Sequence, residues 1–219
     1  MKTLIAIVAS LAILAPYGTA SAATATASDP HAILLKIQER NPSLRSFTSR
    51  VHVDIRMLNF PFFSPKLDGT SYFKRPNNYE VVFDKVPSYA KGLNRFFADV
   101  GDPLEWERDW NISVEGRENL NGRPMLVLRM TKKIHSTITD HALAYIDPEN
   151  YQVARMDWVY TNGGHITMAQ TYRTDGPYTV ISSQHATIQI PHIRAVADAT
   201  YGLYQANVAV NDSVFTGKR

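Results

Sequence analysis

Phe47-Thr48-Ser49-Arg50-Val51-His52-Val53-Asp54-Ile55-Arg56-Met57 is the stretch on which the fold turns. Phe47, Val51, Val53, Ile55 and Met57 alternate with Thr48, Arg50, His52, Asp54 and Arg56, the period of two that a strand shows when one face is out of water. The same alternation returns at Tyr79-Val81-Phe83, Trp110-Ile112-Val114, Leu126-Leu128-Met130, Ala144-Ile146, Ala154-Met156-Trp158-Tyr160, Ile166-Met168-Gln170-Tyr172 and Ala186-Ile188-Ile190. Between these runs stand Asp68-Gly69, Asn77-Asn78, Asn121-Gly122, Asp147-Pro148-Glu149-Asn150, Asn162-Gly163-Gly164 and Asp175-Gly176-Pro177, all turn chemistry. Short loops between strands of this length predict an antiparallel meander of nine or more strands.

Two segments break the strand period. Asp29 can cap a helix that begins at Pro30, places Ile33, Leu34 and Ile37 on one face and stops at Asn41-Pro42. Residues 88–100 carry Leu93, Phe96, Phe97 and Val100 at helical spacing after Pro87-Ser88, which predicts a second short helix inserted between strands. A long twisted sheet with one apolar face must cover that face. It can close, pair with a second sheet or curl around helices, and two amphipathic helices fit the third solution: an α+β, mostly β fold with a curled antiparallel sheet whose concave side both helices cap.

The chain has 219 residues, of which 44% are hydrophobic and 20% charged, so disorder is excluded. A formal charge of +3 is far from the basic field that binds a polyphosphate backbone, which excludes nucleic acid as a partner. Residues 1–22 place Lys2 before an apolar run from Leu4 to Ala15 and end in Ala20-Ser21-Ala22, the layout of a cleaved secretory signal. Residues 23–219 then form one domain, with no other apolar run long enough to span a bilayer. The chain has no Cys, so it has neither disulfides nor a lipidated cysteine, and a monomeric periplasmic protein with no lipid anchor is expected.

Ser43-Leu44-Arg45-Ser46-Phe47 leading into a long first strand, and Gly69-Thr70-Ser71-Tyr72-Phe73-Lys74-Arg75-Pro76-Asn77-Asn78-Tyr79 after it, resemble the periplasmic lipoprotein-carrier superfamily of LolA and LolB type. Tyr145-Ile146-Asp147-Pro148-Glu149-Asn150-Tyr151-Gln152-Val153 is similar to its strand–turn–strand segment, and residues 207–215 to its closing strand. The resemblance implies an unclosed barrel whose helical lid covers an apolar cavity for acyl chains of lipids or lipoproteins, with partners at the inner and outer membranes. The missing Cys favours the LolA-like, outer-membrane lipoprotein-sorting type over an anchored receptor. The superfamily's lid arginine on an early strand has no match here in phase, because Arg50 and Arg56 both fall on the polar face.

The apolar phase of the strands supplies the candidate cavity wall: Val53, Ile55, Met57, Phe73, Val81, Phe83, Leu128, Met130, Ile146, Met156, Trp158, Ile166 and Met168. Ile33, Leu34, Ile37, Leu93, Phe96 and Phe97 are the matching lid residues. Thioethers repack around varied guests, so a methionine-rich wall suits an adaptable cavity. The expected function is a soluble carrier or chaperone for lipidated protein or lipid cargo. The alternatives are an envelope sensor that recognises a protein partner and an exported hydrolase.

Chemistry for catalysis is sparse. His31, His52, His135, His141, His165, His185 and His192 show no metal-ligand spacing, and no nucleophile elbow occurs, so no catalytic residue, metal or cofactor is assigned. Asp99, Asp102, Glu105, Glu107 and Asp109 around Trp106 and Trp110 read as an acidic loop rather than a cation or sugar site. Lys74-Arg75 and Lys132-Lys133 read as solvated strand ends, or as contacts to lipid phosphate at the cavity mouth. Leu58-Asn59-Phe60-Pro61-Phe62-Phe63-Ser64-Pro65 is expected to fold back as core, the alternative being an exposed patch for lipid or membrane.

Overall fold

The first helix begins where its cap requires. Asp29 accepts from the backbone N–H of His31 at 3.0 Å, and α1 (Pro30–Gln38) closes with the Glu39 N–H on the Leu35 carbonyl at 2.8 Å. Ile33, Leu34 and Ile37 are buried on one side of it. This computed structural model describes residues 29–60, 62–76, 78–85 and 103–216. After α1 come β1 (Ser46–Met57), β2 (Lys66–Lys74), β3 (Asn78–Phe83), α2 (Pro103–Asp109), β4 (Trp110–Leu120) and β5 (Arg123–Lys132). Then follow β6 (Thr139–Ile146), β7 (Val153–Tyr160), β8 (His165–Asp175), β9 (Tyr178–Ile190), β10 (Ile193–Ala206) and the single turn α3 (Ser213–Thr216).

All ten strands join one antiparallel sheet in the order β3-β2-β1-β10-β9-β8-β7-β6-β5-β4. β1 and β10, distant in sequence, pair as the third and fourth strands from one edge, while β3 and β4 stand at opposite edges and do not pair with each other. The fold is therefore the expected unclosed, mostly β architecture. α1 packs on α2 and β4, and Ile33, Leu34, Ile37 and Trp106 join the interior-phase strand residues in one continuous core. A minor cluster of Met125, Val127 and Tyr145 occupies the other face, because β5 and β6 carry apolar residues in both phases.

Several details differ from the sequence reading. Asp68-Gly69 is no turn: it lies inside β2, where a Cβ on Gly69 would stand 2.6 Å from the Val82 carbonyl oxygen and 2.9 Å from Phe83 Cδ1. The glycine serves close strand approach, not chain reversal. The segment around Trp106 is a helix and not a loop, since Trp106 and Trp110 are both buried in the core and anchor it. The closing strand is Ile193–Ala206, one segment earlier than residues 207–215, which run irregularly into α3.

The phenylalanine turn is exposed, not core. Phe62 is fully exposed, and Phe60 and Leu58 are about half exposed, at 56% and 46%. Backbone bonds hold it outward: Leu58 N–H donates to the Arg194 carbonyl at 2.7 Å, and Asn59 clamps His192 and Arg194 at 2.8 and 3.2 Å. The second helix expected over residues 88–100, with Leu93, Phe96 and Phe97, lies outside the described residues, as does the 1–22 signal segment.

Candidate functional site

The strand register lays the interior face out in rows. Ile55 stands opposite Ala197, Ala197 opposite Ala186, Ala186 opposite Met168, Met168 opposite Met156, Met156 opposite Ala144, Ala144 opposite Leu128 and Leu128 opposite Val114. Beside it runs Met57, Ala195, Ile188, Ile166, Trp158, Ala142, Met130 and Ile112. Across β1, β10, β9 and β8 the next row turns polar: Val53, Ala199, Gln184 and Gln170. One end of the face is thus aliphatic and thioether-lined, and towards the other it becomes amide-bearing and aromatic.

A cavity of about 150 Å³ opens at that second end. Its roof is the C-terminal end of α1 and the turn that follows, through Ile37, Gln38, Arg40, Asn41 and Leu44. Its floor is Phe47, Phe73, Tyr79, Tyr204, Tyr172, Gln170, Val180 and Ile181 from six strands. Phe47 organises the aromatic part, with Phe73 stacked at 5.2 Å and Tyr204 edge-on at 4.9 Å.

The roof is tied down by polar contacts that replace ordinary secondary structure. Asn41 donates to the Thr179 carbonyl at 2.8 Å and accepts from the Thr179 N–H at 3.0 Å, so its amide pairs with β9 as another backbone would. Arg75 reaches under the turn and donates to the carbonyls of Leu44, Asn41 and Gln38 at 2.7, 3.0 and 3.4 Å. The Gln38 carbonyl lies at the C-terminus of α1, where acceptors lack partners and a cation is favoured, and those of Asn41 and Leu44 lie in the turn that follows.

Below the roof the polar groups satisfy one another. Tyr201 donates to Gln184 at 2.7 Å, Gln184 donates to Gln170 at 3.3 Å, and Ser71 donates to Tyr79 at 3.2 Å. Burial pushes the phenols of Tyr201, Tyr204, Tyr79 and Tyr172 above the usual tyrosine range, so all four remain neutral hydroxyls. Neutral, mutually bonded phenols offer amphipathic packing and no nucleophile or base.

Of the expected wall, Val53, Ile55, Val81, Phe83, Leu128, Met130, Ile146, Met156, Trp158, Ile166 and Met168 are all buried in the one core cluster, with Met57 packed at its margin. α1 supplies Ile33, Leu34 and Ile37 to the same cluster. Of the expected wall and lid residues that are described, only Phe73 and Ile37 line the open cavity. The roof clamps Asn41 and Arg75 carried no sequence signal, because each acts on backbone groups brought near by the fold.

Four of the seven histidines, His31, His52, His141 and His185, pair with acids. His31 meets Glu107 at 2.8 Å, His141 meets Asp140 at 2.6 Å and His185 meets Asp198 at 2.6 Å. His52 lies between Asp68 at 2.8 Å and Asp54 at 3.3 Å, and Asp54 also meets Lys66 at 2.9 Å. Arg50 pairs with Asp84 at 2.7 Å on the same outer face, and Arg56 is exposed. Among the described residues no group of three or more His, Asp or Glu side chains is placed to hold a metal ion.

No protein-family model matches the chain, and no curated protein matches it in sequence. Solved structures do. A DUF1329 family protein from Desulfovibrio piger superposes with a TM-score of 0.65 at 10% identity, over 85% of this chain and 95% of its own. A LolA superfamily protein from Nitrosomonas europaea gives 0.63 at 12% identity, over 85% and 96%. An outer membrane lipoprotein-sorting protein domain from Vibrio parahaemolyticus gives 0.60 at 11% identity, over 85% and 97%. The fold is LolA/LolB-like. Among the described residues no helix is long and apolar enough to cross a membrane.

Proposed function

We propose that the protein is a periplasmic carrier or chaperone that takes an acyl segment of a lipid or lipidated protein between α1 and the sheet. In this reading residues 1–22 are its export signal and residues 23–219 the mature carrier. The observation that carries it is the cavity of about 150 Å³ between the α1 roof and the aromatic floor, whose Gln170 stands two residues along β8 from Met168 in the packed interior face. An apolar hollow of that size holds a guest about as large as benzene, so the resting cavity receives the end of a chain rather than all of it. Neutral tyrosines and paired amides supply no catalytic group, which agrees with binding and release.

Native mass spectrometry of the protein purified from its periplasm, with organic extraction of any bound material, tests this. A lipid or acylated peptide that leaves the protein on extraction supports it. A protein that arrives empty and takes up neither palmitoylated peptide nor phospholipid in vitro overturns it.

A further inference from the structure

The cavity adjoins a second recess of about 680 Å³, with which it shares Gln38 and Arg75. That recess is lined by Arg45, Lys74 and Arg75 and by no carboxylate. Lys74 meets Asp212 at 2.6 Å, an acid that is itself 75% exposed. Among the described residues the Arg75 guanidinium donates to carbonyl oxygens, and neither it nor the Arg45 side chain has an acidic partner. On the cavity side Arg40 lies with its guanidinium 4.7 Å from the Tyr172 ring centre, and its Nη2, out of water, has no hydrogen-bond acceptor. Among the described residues, four cations therefore line the two adjoining recesses, with one carboxylate paired to them, in a chain whose whole formal charge is only +3.

A buried guanidinium nitrogen without an acceptor is costly, and a planar two-oxygen anion is the partner its geometry fits. An uncharged tail has no use for it. We propose that this end of the molecule selects anionic amphiphiles, with a carboxylate or phosphate head held by Arg40 and the Arg45, Lys74 and Arg75 recess while the tail enters the cavity. The inference rests on the carrier reading and adds to it the charge class of the cargo.

Binding of octanoate, octyl phosphate, octanol and inorganic phosphate to the full mature chain at neutral pH, followed by titration calorimetry, tests it. The two anionic amphiphiles are expected to bind at least about tenfold tighter than octanol, the gain of one charge-assisted contact. Arg40→Met, which keeps an apolar stem on Tyr172, is expected to remove most of that preference. Arg45→Gln, on an exposed side chain, lowers the preference without any effect on folding. Equal affinity for octanol and octanoate, or a preference untouched by both variants, overturns the inference and leaves the carrier reading standing. Inorganic phosphate binding as tightly as octyl phosphate makes this a free-anion site and overturns it too. If no alkyl ligand binds, and long-chain cargo is also refused, the carrier reading itself falls.

Discussion

Filling the cavity separates a binding hollow from a packing fault. Val180 is 5% exposed and lines the cavity floor, and Val180→Phe adds four carbon atoms directed into the empty volume. At about 24 cal/mol per Å³, 150 Å³ of unfilled space corresponds to roughly 3.5 kcal/mol of forgone packing. Four buried carbons at about 0.8 kcal/mol each could recover up to about 3 kcal/mol. Rotamer restriction and the movement of Ile181 and Leu44 offset much of that, leaving a net gain of about 1 kcal/mol. For a domain of this size such a gain raises Tm by roughly 2–4 °C. The variant is thus expected to melt slightly higher while its uptake of acyl cargo falls by about tenfold or more, read by native mass spectrometry on the same preparation. A variant that melts several degrees lower yet binds cargo as the parent does would refute the reasoning, because the volume would then be neither empty nor the binding site.

Arg75→Ala strips the donors from three carbonyls at the end of α1, at a cost of about 2–3 kcal/mol and roughly 5–10 °C in Tm, with faster amide exchange expected across residues 38–45. Asn41→Cys with Thr179→Cys, joined by a short thiol crosslinker in a chain that has no other Cys, fixes the roof to β9 and is expected to block loading of long acyl chains but not of octyl ligands. His52 has its pKa raised above 6.5, chiefly by its hydrogen bond to Asp68 and further by Asp54, so its contribution is full below pH 6.5 and is lost as pH rises through the raised value. His52→Gln should therefore lower Tm in acid and converge on the parent in base, by less than about 1 kcal/mol because the pair is solvent-screened. Phe62→Ser, at a fully exposed position, is expected to change stability by no more than about 0.5 kcal/mol and to shorten retention on a hydrophobic column; a large loss of Tm would show that the turn packs where the structure leaves it in water.

The sheet was legible because its interior phase is written in large side chains: Val53, Ile55, Leu128, Met156 and Ile166 each mark a strand and its inward face. β10 was not, because its inward residues are Ala195, Ala197 and Ala199, which carry little strand preference and give a weak alternation. Those same small residues lie opposite Met57, Ile55 and Val53, where bulk is supplied by the partner strand. The wall of the core could be named from the sequence, but the cavity could not, since its roof depends on Asn41 meeting β9 and on Arg75 reaching three carbonyls more than thirty residues away. Arg75 read as one of two solvated basic residues at a strand end, and only the three-dimensional path of the turn shows what it holds. The phenylalanine turn was misread for a physical reason as well. Hydrophobicity argues for burial on average, but the Asn59 side-chain amide and the Leu58 N–H bond this turn to His192 and Arg194 with its phenylalanines left outward.

Magnitudes also constrain how a carrier of this shape would load. A benzene-sized hollow shelters about six carbons, worth roughly 5 kcal/mol, which is near the lower bound of what association itself costs. A tail of about fifteen carbons offers roughly 12 kcal/mol, enough for firm binding, but only if the rest of the chain also leaves water. The interior rows through Met156 and Met168 lie beyond the Gln184 and Gln170 row from the hollow, and Ile33, Leu34 and Ile37 belong to the same buried cluster as those rows. Full loading therefore requires α1 to give way and the acyl chain to take the place of its three buried side chains, an exchange of one apolar cover for another that is close to neutral in buried area. What holds this end of the roof on the sheet is then the set of polar ties after α1, the Asn41 pairing with Thr179 and the Arg75 bonds to the turn. Ties worth a few kcal/mol are strong enough to keep a methionine-lined face dry and weak enough for a long chain, though not a short one, to displace.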